Sequence, residues 1–170
     1  MIRVLGLGNV LMGDDGFGPF AVRVLEATYE TPDGVEFVDV GTPGLDLTPY
    51  LLGMEAVIFV DTVKSAGHAG ELRIYDRSDI LRHPPQTRTG GHDPALKEAL
   101  LTVDAVGTGP KDVTLVGVIP AWVATGVTLS PPVETAIGPA IAAIGQTLAA
   151  LGVTLKRRKH PRVPDIWWAA

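Results

Sequence analysis

Three segments of the sequence carry side chains that could hold a metal ion or move a proton. The adjacent carboxylates Asp14 and Asp15 follow the first glycine-rich segment. Asp61 follows an apolar run, and His92 lies in a Gly-Gly-His-Asp-Pro sequence. Two carboxylates and one imidazole suit Ni²⁺, Zn²⁺, Fe²⁺ or Mn²⁺ and leave coordination positions open for water or a substrate group. The same side chains could instead supply a carboxylate base that the histidine orients.

The two adjacent aspartates have different predicted roles. Near a helix N-terminus, the backbone dipoles and unpaired N–H groups favour ionised carboxylates. Aspartate is also a common capping residue at that position. We therefore interpret Asp14 as a capping or supporting residue and Asp15 as the carboxylate that faces the cleft. The simpler alternatives are a turn hydrogen bond for Asp61 and a structural or solvent-exposed imidazole for His92.

Other kinds of site find little support in the sequence. Residues 6–11 follow a predicted strand and precede a helix, as in dinucleotide-binding folds. Leu11 replaces the third glycine of that motif, however, and the aspartate pair would repel a pyrophosphate. The sequence contains no His-Glu-x-x-His zinc motif and no Gly-x-Ser-x-Gly nucleophile motif. It also has no cysteine, which excludes thiolate nucleophiles, thiolate metal sites and disulfides.

The elements that must position these side chains alternate between strand and helix. This pattern predicts an α/β fold with three layers, a mostly parallel twisted sheet with helices on both faces. Ligands bind such sheets beyond the carboxyl ends of the strands, where the aspartate pair and Asp61 are expected. The predicted strands are 2–7, 35–40, 56–60, 72–75 and 113–119. The predicted helices begin near 19, 45, 93 and 132, and a polar loop spans 77–91.

Length and charge indicate a single domain with a short tail. The 170 residues are 46% hydrophobic and carry a net charge of −5, and we assign residues 1–155 to one α/β domain. Residues 156–170 form a basic tail of net charge +4 that contains Trp167 and Trp168. The acidic body predicts no nucleic-acid partner. The uncharged stretch 135–155 has helical periodicity and is interpreted as an amphipathic helix packed on the sheet, so no membrane partner is expected.

The sequence also resembles a known family. Residues 6–18, Gly-Leu-Gly-Asn-Val-Leu-Met-Gly-Asp-Asp-Gly-Phe-Gly, resemble the opening of the hydrogenase maturation endopeptidases. Four further features match that family in the same order along the chain. They are residues 39–44, a strand that ends at Asp61, His92 before a helix, and residues 114–120.

The resemblance implies an endopeptidase that removes a C-terminal peptide from the large-subunit precursor of a nickel–iron hydrogenase after nickel insertion. It implies that Asp15, Asp61 and His92 are the catalytic and metal-contacting residues. The nickel would belong to the precursor, so the enzyme would hold no tightly bound cofactor of its own. Either the metal would polarise a carbonyl or a water, or Asp15 or Asp61 would act as the base. The loop implicated in substrate recognition comprises Gly41, Thr42, Pro43 and Gly44.

The resemblance leaves some features and alternatives open. Asp15 stands where some relatives carry glutamate, and the tail 156–170 has no clear counterpart in the family. We interpret Trp167 and Trp168 as docking on the protein's own surface, with contact to the precursor as the alternative. A nickel-binding maturation chaperone that does not cut, and an unrelated metal-dependent α/β hydrolase, are the competing functions. The resemblance and the absence of a signal-peptide pattern predict a cytoplasmic location.

Overall fold

The structure, a computed structural model, describes residues 1–42, 46–87 and 95–169. Strands and helices alternate along the chain, as predicted. The strands are β1 (Ile2–Leu7), β2 (Tyr29–Glu30), β3 (Val35–Gly41), β4 (Ala56–Lys64), β5 (Leu72–Asp76), β6 (Gln86–Thr87), β7 (Asp112–Val118) and β8 (Lys156–Arg157). The α-helices are α1 (Phe17–Thr28), α2 (Thr48–Leu51), α3 (Arg77–Arg82), α4 (Ala95–Ala105), α5 (Pro131–Thr135) and α6 (Ile137–Ala150). Two 3-10 turns span Gly13–Gly16 and Trp167–Ala169.

The central sheet has the strand order β3-β1-β4-β7-β5. Strands β3, β1, β4 and β7 are parallel, and β5 joins β7 antiparallel at one edge. The short strand β6 pairs with the end of β4, and β2 pairs with β8 in a separate two-stranded ladder. The prediction of a mostly parallel α/β sheet is therefore confirmed.

Helices cover both faces of this sheet because its central strands are apolar on both sides. In β4, Ile58 and Val60 belong to a core cluster that includes residues of α1 and α6. Their neighbours Val57 and Phe59 belong to a second cluster, with residues of α2, α3 and α4. Successive side chains of a strand point to opposite faces, so one apolar run contributes to two cores. The result is the predicted arrangement of three layers.

Three glycines let the start of α1 approach the ends of β1 and β4. A Cβ atom at Gly18 would overlap the carbonyl oxygens of Leu7 and Val60. A Cβ atom at Gly6 would lie 2.5 Å from the carbonyl oxygen of Gly18. Gly8 has a φ of +137°, which favours glycine, and its Cβ position is occupied by the carbonyl oxygen of Asp15. The glycine motif thus serves packing, and it places the turn Gly13–Gly16 at the carboxyl edge of the sheet.

Strand β4 is longer than the sequence predicts, which changes the position of Asp61. The apolar run ends at residue 60, but pairing with β7 continues through Asp61 and Thr62. Strand β6 then pairs with Val63 and Lys64. Strand β1 pairs with β4 only as far as Val60. Asp61 therefore lies inside β4, one residue beyond the part that β1 covers.

Two other regions differ from the predicted elements. The predicted loop 77–91 contains α3, which begins with a capping box between Asp76 and Asp79, and the short strand β6. The predicted helix 132–151 is divided into α5 and α6, which meet at Ala136. None of the helices in the described parts of the chain has the length and hydropathy that a membrane span requires.

The basic tail packs along the C-terminal end of α1. The backbone N–H groups of Arg158 and Arg162 donate to the carbonyl oxygens of Thr28 and Ala27, at 2.9 and 2.8 Å. A helix leaves its last carbonyl groups without intrahelical partners, so the tail supplies the missing donors. Trp168 is 7% exposed and meets the ring of Phe20 edge to face, with 5.1 Å between ring centroids. Docking on the protein's own surface is thus observed for Trp168, whereas the neighbouring Trp167 is 61% exposed.

Candidate active site

Asp15 is a buried carboxylate at the carboxyl end of β1. It lies in the turn Gly13–Gly16 and is 4% exposed. The backbone N–H of Asn9 donates to its Oδ2 atom at 3.0 Å. The hydroxyl of Thr62 donates to its Oδ1 atom at 3.2 Å. Each oxygen of Asp15 therefore has a defined donor, and the side chain has a fixed orientation.

Asp61 is the second carboxylate at this edge, and it is fully buried. The backbone N–H of Thr62 donates to its Oδ1 atom at 2.7 Å. Thr62 therefore contacts Asp61 through its backbone and Asp15 through its hydroxyl. The structure brings together two of the three predicted site residues, and a threonine connects them.

The remaining predicted site residues are described only in part. His92, Pro43 and Gly44 lie outside the described residues. Gly41 has a φ of +62°, and its carbonyl oxygen accepts a hydrogen bond of 2.9 Å from the N–H of Gly8. This bond places the start of the predicted recognition loop beside the first glycine-rich segment, and Thr42 is exposed there. Within the described ranges, no group of three or more His, Cys, Asp or Glu residues could hold a metal ion.

Asp14 has a different role from Asp15. Its carboxylate is fully buried and accepts four hydrogen bonds from a single distant segment. The donors are the N–H groups of Ala121 and Trp122, at 2.8 and 3.1 Å, and the N–H and hydroxyl of Ser130, at 2.6 and 2.8 Å. Asp14 thus anchors the segment between residues 121 and 130 to the turn that carries Asp15. This arrangement matches the interpretation of Asp14 as a supporting residue.

Replacing Asp14 with asparagine should lower the free energy of unfolding by about 2–3 kcal/mol. Donors face both oxygens of Asp14, so either orientation of the amide places its NH2 group against a backbone N–H. Urea unfolding measures the loss. Ser130→Ala is the matched control, because it removes only one hydroxyl donor and should cost about 1 kcal/mol. Equal stability of Asp14→Asn and the parent protein would contradict this account of the carboxylate.

Sequence reasoning did not identify Ser130 or the double contact of Thr62. Ser130 precedes the two prolines of α5, which is the position of a helix N-cap, yet its side chain makes no capping hydrogen bond. Its hydroxyl is directed to Asp14 instead. For Asp61 the sequence indicates at most a turn hydrogen bond, and it indicates no contact between Thr62 and Asp15. No local signal indicates either long-range contact, since both depend on how distant segments meet.

Comparison with known proteins matches this chain to a protein family. A family model described as hydrogenase maturation protease matches residues 19–147. The chain is 35% identical over 164 residues to the hydrogenase expression/formation protein HupD of Bradyrhizobium diazoefficiens, covering 94% of this chain and 84% of that protein. It is also 35% identical to the hydrogenase 2 maturation protease of Escherichia coli, covering 82% of this chain and 85% of that protein.

A solved structure agrees with these matches. The fold is similar to the hydrogenase maturating endopeptidase HybD from E. coli, with a TM-score of 0.83 and 32% identity. The similarity covers 92% of this chain and 97% of that one. Among the functions considered from the sequence, these matches favour the endopeptidase over the chaperone that does not cut and over the unrelated hydrolase. The chain belongs to the hydrogenase maturation proteases, and it is an endopeptidase.

Proposed function

We propose that this endopeptidase removes the C-terminal extension of a nickel–iron hydrogenase large-subunit precursor after nickel has been inserted. The observation that carries the proposal is the pair of buried carboxylates, Asp15 and Asp61, at the carboxyl edge of the sheet. Thr62 contacts both of them. Ligand sites of open α/β sheets lie at this edge, and membership of the family supports a hydrogenase subunit as the substrate.

In this proposal Asp15, Asp61 and His92 contact the nickel that the precursor carries. Carboxylate oxygens and an imidazole nitrogen suit a divalent nickel ion. Three protein ligands leave positions for the groups with which the precursor already holds its metal. The protease then senses the loaded metal site without extracting the ion, and it needs no tightly bound metal of its own. The cytoplasm is the proposed location of this step.

The hydrogen bonds around Asp15 suit the work that hydrolysis requires. Both the N–H of Asn9 and the hydroxyl of Thr62 donate to its oxygens, and an ionised carboxylate can only accept. An ionised Asp15 can bind the precursor's metal or accept a proton from the attacking water. Hydrolysis then breaks the peptide C–N bond, adds the water oxygen to the carbonyl carbon and protonates the leaving amine.

Intact-mass measurement tests the proposal. The protein is mixed with a hydrogenase large-subunit precursor that is either loaded with nickel or metal-free. We expect the nickel-loaded precursor to lose the mass of a C-terminal peptide and the metal-free precursor to stay unchanged. Equal cleavage of both forms would contradict recognition of nickel. Binding without any loss of mass would contradict cleavage of this substrate.

A further inference from the structure

An exposed apolar surface lies beside the turn Gly13–Gly16, which carries Asp15. Leu11, Trp122 and Val127 are 55%, 38% and 37% exposed, and we name them together the Trp122 surface. They come from two segments that pair through their backbones. The N–H of Gly13 donates to the carbonyl of Gly126 at 2.8 Å, and the N–H of Gly126 donates to the carbonyl of Leu11 at 3.0 Å. The three side chains are thus presented by adjacent backbone, not scattered over the molecule.

Glycines on both segments fix the position of the Trp122 ring. A Cβ atom at Gly13 would lie 2.7 Å from the ring atom Cη2, and so would a Cβ atom at Gly126. Side chains at these two positions would push the ring away. The indole therefore rests against the turn that contains Asp15, although more than a third of its surface stays exposed.

The Trp122 surface is also tied to Asp15 through Asp14. The buried Asp14 carboxylate accepts a hydrogen bond from the N–H of Trp122. The N–H of Asp14 in turn donates to the carbonyl oxygen of Trp122 at 3.4 Å. Since Asp14 directly precedes Asp15, a chain held against Trp122 would have a fixed position relative to the carboxylate pair.

The two chain segments that form this surface contain no charged residue. Residues 4–13 and 119–133 contain no Asp, Glu, Lys or Arg, whereas residues 1–155 as a whole carry a net charge of −9. A charged segment would have to give up hydration against these apolar side chains without gaining an ionic partner from either of the two segments. The surface therefore favours an apolar segment.

We propose that the Trp122 surface binds an apolar stretch of the precursor next to its scissile bond, and that Trp122 is a specificity-determining residue. This inference rests on the proposed function. It adds a contact made by the polypeptide of the substrate, separate from the contact with its metal. A tryptophan that is rigidly held and partly exposed is typical of the residues that dominate binding energy at interfaces.

Kinetics of the Trp122→Ala variant with the nickel-loaded precursor test this inference. We expect KM to rise about 10-fold, while kcat stays within about twofold of the parent value. Trp167→Ala is the matched control, because it removes an even more exposed indole from the tail and should leave both constants unchanged. Leu11→Ser, which leaves the ring and its glycines intact, should raise KM about threefold. Circular dichroism and thermal unfolding verify that each variant is folded.

Equilibrium binding of the same precursor separates this inference from the proposed function. If the parent protein binds the precursor without cutting it, the proposed cleavage fails, and about 10-fold weaker binding by Trp122→Ala would still support the surface. If the parent protein cuts the precursor and Trp122→Ala keeps the KM and affinity of the parent protein, the surface is overturned and the function stands. A parent protein that neither binds nor cuts the precursor overturns both.

Discussion

Asp15→Asn should stop cleavage of the precursor while the protein keeps its fold. In the proposed mechanism, loss of the carboxylate removes a charged metal contact and a proton acceptor together, so we expect the rate to fall about 10³-fold or more. The fold should survive because the amide oxygen can still accept from the N–H of Asn9. The amide NH2 can donate to the hydroxyl of Thr62, which is able to accept as well as donate.

Intact mass of the nickel-loaded precursor over time measures the effect, with circular dichroism as the check on folding. Asp33→Asn is the matched control, because Asp33 is exposed and precedes β3 at the opposite edge of the sheet. It should cleave at the parent rate. His92→Ala should be as inactive as Asp15→Asn if the histidine is the third contact to the metal. Cleavage by Asp15→Asn at a rate near that of the parent would refute the assignment.

Gly18→Ala should strongly lower the free energy of unfolding. The added Cβ atom would overlap two backbone carbonyl oxygens, those of Leu7 and Val60. Backbone atoms in the centre of a sheet cannot move away as a flexible side chain can, so α1 would have to shift off β1 and β4. We expect the free energy of unfolding to fall by about 4 kcal/mol or more.

Urea unfolding of Gly18→Ala tests this prediction. Gly138→Ala is its matched control. Both glycines are the second residue of an α-helix, Gly18 in α1 and Gly138 in α6. A Cβ atom at Gly138 would meet nothing within 4 Å. Gly138→Ala should therefore leave stability unchanged or raise it by up to about 1 kcal/mol, through the higher helix propensity of alanine. Equal stability of the two variants would show that the close approach at Gly18 is not limiting.

The sequence predicts the layers of this fold well because its central strands are apolar runs. β1 has the predicted bounds. β3 ends one residue later than predicted, and β7 begins and ends one residue earlier than predicted. The end of β4 is predicted less well, since Asp61 belongs to the strand only through pairing with β7. The hydropathy of neighbouring residues gives no information about such pairing between strands. Helix α3 is a different case. Its capping box between Asp76 and Asp79 is visible in the sequence, but the polarity of residues 77–91, taken alone, predicts a loop there.

The sequence predicts the acidic residues of the candidate site but not the contacts that hold them in place. Aspartates that follow strands in an α/β pattern belong at the carboxyl edge, and the structure places Asp15 and Asp61 there. The hydrogen bonds from Ser130 to Asp14 join residues that are 116 positions apart. Nothing in the spacing or type of these residues indicates that they meet. His92 lies outside the described residues, and its role stays a prediction.

The contact between Asp14 and residues 121–130 also sets when the protease can become complete during synthesis. A nascent chain whose residues 1–118 have left the ribosome can already form β1, β3, β4 and β7, and it contains both Asp15 and Asp61. It still lacks every donor that the Asp14 carboxylate accepts from, because the first of them is Ala121. Until residues 121–130 have emerged, the Asp14 carboxylate must stay hydrated, and the turn that carries Asp15 lacks its anchor to that segment. The assembled carboxylate pair is therefore a late product of translation, formed after most of the sheet.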